Sequence, residues 1–167
     1  MTELGLGLRV SVTLCFEPRA DQIGSLRNAL SDLCTPHISD ADELSRLLLT
    51  AHELLENIVK YSAGGDVEFE CTIERVIGGL RARLRTWNHA DPNRLADVRA
   101  RLAALGAAND AIAHYDEMIR DSAAKRDGSG LGLARIEAEG EMRLEYRIDG
   151  DELTITAEGA ISDHGRP

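Results

Sequence analysis

The chain has 167 residues, 43% of them hydrophobic and 29% charged, and this size and balance predict one globular domain with a proper core. Its net charge of −10, from 29 acidic against 19 basic residues, makes nucleic acid and membrane surfaces poor partners because both are anionic. The apolar runs are too short to span a bilayer, and the N-terminus lacks the basic region of a signal peptide. The three cysteines form no CxxC pair, which predicts reduced, buried thiols in a cytoplasmic protein.

Alternation and helical spacing predict the elements of the first third of the chain. Residues 9–16 alternate, with apolar side chains on one face, which indicates a half-buried strand. Residues 20–34 repeat apolar positions at helical spacing and predict an amphipathic helix. Asp40 and Glu43 form a capping box for a second helix that runs to about Tyr61. The wide apolar surface of this second helix predicts that it is buried against a sheet.

The remaining patterns predict two hairpins, a helical region and a glycine-rich loop. The first hairpin joins residues 67–73 and 80–86 through Gly78-Gly79. A helical region follows over 93–122, with Gly106 as a candidate break, and then a glycine-rich loop from Lys125 to Leu133. A short helix ending near Gly140 and a hairpin turning at Asp149-Gly150 complete the chain. This order predicts an α+β, two-layer sandwich with helices on one face of a mixed, mostly antiparallel sheet. We expect a single domain over residues 1–161 and a frayed tail over 162–167.

Two polar patterns are interpreted as surface features. Arg81, Arg83 and Arg85 alternate along one predicted strand and indicate a solvated sheet face rather than a phosphate-binding track. His52 precedes Glu53, but the zinc motif HExxH needs a second histidine, which this stretch lacks. A surface or packed histidine is therefore the preferred interpretation of His52.

A carboxylate, an amide and an ammonium group form one row on the second helix. Glu53, Asn57 and Lys60 stand at i, i+4 and i+7, so they share a face of an otherwise apolar helix. An amide oxygen can ligate Mg²⁺, a carboxylate can accept a proton, and a lysine can offset phosphate charge. The row therefore suits a nucleoside triphosphate. The alternative is an ordinary solvated row with a Glu56–Lys60 ion pair.

The glycine-rich loop is the second pattern with chemical meaning. Three glycines at every second position let backbone N–H groups approach phosphates, and the helix that follows adds its positive end. The loop residues are Gly128, Ser129, Gly130, Leu131, Gly132 and Leu133. The loop precedes a helix without following a strand, so it fits neither the Rossmann fingerprint nor the Walker loop.

Together the two patterns resemble the N-box and the second glycine box of the GHKL, or Bergerat-fold, ATPase superfamily. The N-box residues are Glu53, Asn57, Lys60 and Tyr61, and Gly-x-Gly-Leu-Gly-Leu follows about 70 residues later. Residues 16–30 and 40–57 look like the opening of small anti-sigma-factor serine kinases. Residues 114–136 look still closer to SiaB-like bacterial kinases.

The resemblance implies a Bergerat-type sandwich that binds ATP and Mg²⁺. It implies Asn57 as the Mg²⁺ ligand, Glu53 as the catalytic base and Lys60 as a phosphate contact. It also implies that the glycine loop, with its three glycines, forms a lid hinge around the triphosphate. The implied substrate is a small STAS-type antagonist protein, and the oligomeric state is left open, a homodimer included.

The sequence departs from the superfamily at the adenine-binding motif. The superfamily has Asp-x-Gly-x-Gly at the end of the strand before the lid, with its Asp reading the adenine amino group. Here the strand over 80–87 runs into Asn88 and then Asp91 with no glycine. Either residue offers an oxygen acceptor, and Asn88 is better placed because it follows the strand directly.

Three functions fit these patterns. The first is an ATP-dependent serine/threonine kinase of the anti-sigma, partner-switching type. The second is a pseudo-kinase that binds the same class of partner without turning over ATP, which the missing glycine box favours. The third, a detached histidine-kinase catalytic domain, is weaker because the front half resembles the anti-sigma kinases.

Overall fold

A computed structural model describes residues 7–125 and 130–162. The strands are β1 (Arg9–Phe16), β2 (Val67–Val76), β3 (Gly79–His89), β4 (Arg143–Asp149) and β5 (Glu152–Ile161). The helices are α1 (Ile23–Cys34), α2 (Ala41–Tyr61), α3 (Pro92–Ala107), α4 (Ala111–Lys125) and α5 (Leu131–Ala138), and a 3-10 turn over Ala20–Gln22 precedes α1. No helix within these ranges is both long and apolar enough to cross a membrane.

The five strands form one sheet in the order β1-β2-β3-β5-β4. Every pair of neighbours in the described ranges is antiparallel, so the parallel component of the expected mixed sheet is not found there. The β2–β3 and β4–β5 pairs are the two predicted hairpins. With α-helices packed on one side of the sheet, the α+β two-layer class is confirmed.

The two faces of the sheet differ sharply in chemistry. Inward side chains of the central strands are buried and form the core with the helices. They are Val67, Phe69, Cys71, Ile73, Leu80, Ala82, Leu84, Leu153, Ile155, Ala157 and Ile161. On the other face, Arg83 pairs with Glu158 at 2.7 Å and Arg85 with Glu68 at 3.1 Å. The predicted solvated face is confirmed, and its arginines neutralise neighbouring glutamates.

Helix α2 lies at the centre of the helical layer. The Asp40 carboxylate accepts hydrogen bonds from the backbone N–H groups of Asp42 and Glu43, which fixes the start of the helix at the expected place. The buried face of α2 packs against α1, α5 and β3. Its buried residues are Leu47, Leu48, Thr50, Ala51, Glu53, Leu54, Leu55, Ile58 and Tyr61. A carboxylate therefore belongs to the buried face of α2.

Two sequence expectations need correction. The helical region divides at residues 108–110 and not at Gly106, because the Asp110 carboxylate caps α4 by accepting from the Ala113 N–H, while Gly106 stays inside the last turn of α3. All three cysteines are unbridged thiols, but only Cys34 and Cys71 are buried. Cys15 is exposed because it points to the outer face of edge strand β1.

Candidate functional site

A cavity of about 520 Å³ opens between α2, α5 and the start of α1. Glu53, Glu56, Asn57, Val59 and Lys60 of α2 form one wall. The opposite wall and the ends are Gly130, Leu131, Gly132, Arg135, Tyr115, Ala20 and Ile23. The structure thus brings the polar row of α2 and the described part of the glycine loop to one cavity.

Glu53 is a buried carboxylate at the base of this cavity. Only 6% of the residue is exposed, so this charged side chain shares the buried face of α2 with mostly apolar residues. Its Oε1 accepts a hydrogen bond from Arg135 Nη1 at 3.0 Å, so the negative charge is paired across the α2–α5 interface. A buried carboxylate needs such a partner, because desolvating an unpaired charge is expensive. This burial excludes the ordinary solvated row as an account of Glu53.

Asn57 and Lys60 continue the row along the cavity wall. Asn57 Nδ2 donates to the backbone carbonyl of Glu53 at 2.7 Å, which leaves Oδ1 as the amide atom for a ligand. Lys60 Nζ lies 5.0 Å from the centroid of the Tyr61 ring, within cation–π range. Glu56 contacts His52 at 3.2 Å on the exposed side of the helix. The row therefore changes from buried at Glu53 to partly buried at Asn57 and Lys60.

The glycines of the loop allow side chains to approach the start of α5. Gly130 is the N-cap of α5 with φ of 109°, and a Cβ there would collide with the Arg101 guanidinium. A Cβ at Gly132 would lie 2.5 Å from Glu53 Oε2. Gly130 is favoured by its positive φ, and Gly132 leaves space for the Glu53 carboxylate against the helix. Of the other predicted loop residues, Leu133 is buried in the core, and Gly128 and Ser129 lie outside the described residues.

Cationic and anionic side chains meet at the cavity. Lys60 and Arg135 line it beside Glu53 and Glu56, and the N-terminus of α5 adds the positive end of its dipole. Hydrogen bonds to Glu139, and to a lesser degree to Glu53, raise the pKa of Arg135 above its usual range. The cavity therefore offers cations to an anion and carboxylate oxygens to a divalent cation that arrives with it.

Arg135 was not among the sequence-predicted residues. The available signal was its position four residues after Leu131, on the same face of a helix that begins at the glycine loop. Its Nε also bonds Oε2 of Glu139, the C-cap residue of α5, at 2.7 Å. Arg135 thus joins a carboxylate of α2 to one at the end of its own helix.

The two predicted adenine-reading residues do not line the cavity. Asp91 instead caps α3, accepting a hydrogen bond from the Asn93 N–H at 2.9 Å. Asn88 is 2% exposed on the helix-facing side of β3, and its Nδ2 has no hydrogen-bond partner within the described ranges. The Asp91 N–H donates to the Tyr61 carbonyl at 2.8 Å, so this strand end adjoins the Lys60 end of α2.

The donor set suits a metal carried by a ligand better than a resident metal. No group of three or more His, Cys, Asp and Glu side chains in residues 7–125 and 130–162 is arranged to hold an ion. Mg²⁺ commonly takes one or two protein oxygens and completes its shell with phosphates and water. Asn57 Oδ1 and the nearby Glu53 carboxylate meet that pattern, so these residues fit Mg²⁺ bound with a polyphosphate.

Comparisons with known proteins give a likeness at the level of fold. No family model matches the chain, and no curated protein matches it. It is similar to a chain in the crystal structure of the SiaB-SiaC complex from Pseudomonas aeruginosa, with a TM-score of 0.58 and 16% sequence identity. The match covers 89% of this chain and 89% of that one. At this identity the likeness establishes a shared fold.

Proposed function

We propose that this chain binds Mg²⁺-ATP in the cavity between α2 and α5 and acts as a partner-switching serine/threonine kinase. The observation that carries this proposal is the meeting of Glu53, Asn57 and Gly132 across one cavity. A possible base, a metal ligand and a close-approaching backbone are the parts that phosphoryl transfer needs from a protein.

Each of these residues would have its own part in the chemistry. Asn57 Oδ1 would ligate the Mg²⁺, and the metal would supply positive charge to the phosphates. Lys60 and the first N–H groups of α5 would hold the phosphate oxygens. Glu53 accepts the proton of an acceptor hydroxyl as the hydroxyl oxygen bonds the terminal phosphorus and the bond to the leaving diphosphate breaks.

The proposed substrate is a serine or threonine of a small STAS-like regulatory protein. Two observations support a protein partner: the resemblance of residues 16–30 and 40–57 to anti-sigma kinases, and the structural neighbour's presence in a two-protein complex. The proposed partner must place its hydroxyl within hydrogen-bond reach of Glu53, in the open side of the cavity.

Calorimetric titration with a non-hydrolysable ATP analogue tests the first step. We expect Mg²⁺-dependent binding in the micromolar to submillimolar range, because the adenine motif of the resembled superfamily is altered. The titration is repeated with EDTA in place of Mg²⁺, where binding should weaken strongly. Absence of binding at millimolar analogue, in protein shown to be folded by circular dichroism, would contradict the proposal.

A pseudo-kinase with the same partner is the second candidate. Two observations favour it: Glu53 is engaged by Arg135, and the adenine candidates lie outside the cavity lining. It differs from the kinase in one measurable respect, since phosphate should not pass to the partner although binding occurs. A transfer assay with labelled ATP and a STAS-domain partner distinguishes the two.

Asn88 provides a test of adenine recognition. Its amide carries both a donor and an acceptor, which matches the paired acceptor and donor of the adenine edge, and its buried Nδ2 lacks a partner in the described residues. Asn88 is buried outside the cavity lining, so this role requires the adenine to extend beyond the cavity to the end of β3. On that proposal we expect Asn88→Ala to weaken ATP-analogue binding by about 10-fold, the effect of one buried hydrogen bond, and to leave inorganic triphosphate binding unchanged.

Asp91→Ala is the matched control for that variant. It removes the cap of α3 and should cost about 1 kcal/mol of stability, read as a lower thermal midpoint, without changing the preference for adenine. Equal losses for the ATP analogue and for triphosphate in Asn88→Ala would remove Asn88 from adenine recognition.

A further inference from the structure

We propose that Arg135 is a ligand-operated latch, which holds Glu53 while the cavity lacks a triphosphate and transfers to the terminal phosphate when one binds. This inference rests on the proposed function and adds to it the regulation of the same site. Arg135 would then distinguish a nucleoside triphosphate from a diphosphate. Glu53 would be available as a base only when a triphosphate is bound.

The first argument is the geometry of the guanidinium. Arg135 lines the cavity, and its side chain is 40% exposed, whereas the Glu53 side chain is 8% exposed. Nε is bound to Glu139 on its own helix, and Nη1 is bound to Glu53 on α2. An arginine has five N–H donors in a rigid fork, so these two bonds leave donors at the Nη end for an anion. The bond to Glu139 can persist as a pivot while the Nη end changes partner.

The second argument is the competition between anions. Glu53 carries one negative charge, and the terminal phosphate of a triphosphate carries more charge on oxygens that a guanidinium binds in bidentate fashion. If Glu53 is the base, the terminal phosphate must lie beside it, and Arg135 Nη1 is 3.0 Å from Glu53 Oε1. Arg135 is thus within reach of the terminal phosphate and not only of the two phosphates nearer the nucleoside.

The third argument is the cost of releasing Glu53. A buried carboxylate that loses its partner is strongly destabilised unless another positive group or donor replaces it. Mg²⁺ near Asn57 would supply that replacement once the terminal phosphate has drawn Arg135 away, and a diphosphate offers no such phosphate. The latch therefore opens when the triphosphate binds and stays closed with a diphosphate.

The test compares variants in calorimetric titrations with Mg²⁺ and either a non-hydrolysable ATP analogue or ADP. Arg135→Gln should lower affinity for the ATP analogue by about 10- to 100-fold and for ADP by less than about threefold. Glu53→Gln replaces the carboxylate by a neutral amide that holds Arg135 less strongly, so it should tighten binding of the ATP analogue by about threefold or more, again without affecting ADP. Arg83→Gln is the matched control, because Arg83 is also ion-paired with a glutamate but lies on the opposite face of the sheet.

A double-mutant cycle on thermal unfolding supplies a readout independent of affinity. The coupling between Glu53 and Arg135 should be present without ligand and should disappear in saturating Mg²⁺-ATP analogue. If Arg135→Gln does not fold, Arg135→Lys, which keeps the charge and loses the fork, takes its place in both experiments. Equal losses for ATP analogue and ADP, or a coupling unchanged by ligand, would overturn the latch while leaving the proposed function intact. Failure of the wild type to bind either nucleotide would overturn both.

Discussion

Replacing Glu53 by glutamine is expected to lower phosphate transfer to the partner by about 10²- to 10⁴-fold, the usual contribution of a general base. Glutamine keeps the size of the side chain and an oxygen that accepts from Arg135 Nη1, so the fold and the cavity should persist. Glutamine cannot take up the hydroxyl proton, and the reaction loses its acceptor. The measurement is a time course of label from ATP to the partner, at saturating ATP.

Two controls make the Glu53→Gln result specific. Binding of the Mg²⁺-ATP analogue must survive in this variant, and the latch predicts that it becomes tighter. Glu158→Gln removes a carboxylate from the outer face of the sheet and should leave transfer unchanged. If Glu53→Gln transfers phosphate in proportion to its folded fraction, Glu53 is a structural partner of Arg135 and not a base. A bare ATP hydrolysis assay would be a poor substitute, because the resembled kinases hydrolyse ATP slowly without their partners.

The parts of the fold that are set by local pattern were predictable. Helix α2 was expected from Asp40 to about Tyr61 and lies at Ala41–Tyr61, because the cap and the apolar positions are encoded in the same stretch. The β2–β3 and β4–β5 hairpins were expected because glycines stand at both turns. The insertion of β5 between β3 and β4 was not, since sheet order depends on packing between distant segments.

The same distinction separates the predicted and the missed parts of the site. Glu53, Asn57 and Lys60 were found because the spacing on one helix places them in a row, and the structure puts that row on a cavity wall. Arg135 is 82 residues from Glu53 in sequence, and only the packing of α5 on α2 brings their side chains together. Asp91 was proposed as an acceptor for adenine, but its backbone context makes it a helix cap.

The burial of Glu53 has a consequence for the choice between kinase and pseudo-kinase. A buried ion pair is a weak source of stability, because desolvation offsets most of the attraction, and an apolar pair would stabilise this interface as well. The glycine at 132 likewise leaves room for the Glu53 carboxylate, since a Cβ there would lie 2.5 Å from Oε2. A charged group that stabilises its interface so little is expected where the carboxylate has a role in the cavity, and this supports the proposed kinase.

Replacing Asn57 by alanine is expected to remove Mg²⁺-dependent nucleotide binding. The variant deletes the amide oxygen that the proposal assigns to the metal. Altering a residue that merely supports a metal ligand lowers metal affinity by about 10- to 100-fold, so losing a direct ligand should lower it further. The hydrogen bond from Nδ2 to the Glu53 carbonyl is lost as well, at a cost of about 1 kcal/mol in stability. The measurement is titration of the ATP analogue with Mg²⁺ and with EDTA.

The contrast between the two titrations decides the role of Asn57. With EDTA, Asn57→Ala and wild type should bind the analogue equally weakly, because the remaining contacts from Lys60 and the α5 N-terminus do not require the metal. Asn28→Ala, at an exposed position of α1 outside the cavity lining, is the matched control and should retain the full effect of Mg²⁺. If Asn57→Ala still gains affinity from Mg²⁺ as the wild type does, the metal is held elsewhere. Glu53 and Glu56 would then be the remaining side-chain carboxylates on this wall, and a metal held by Glu53 would remove its role as base.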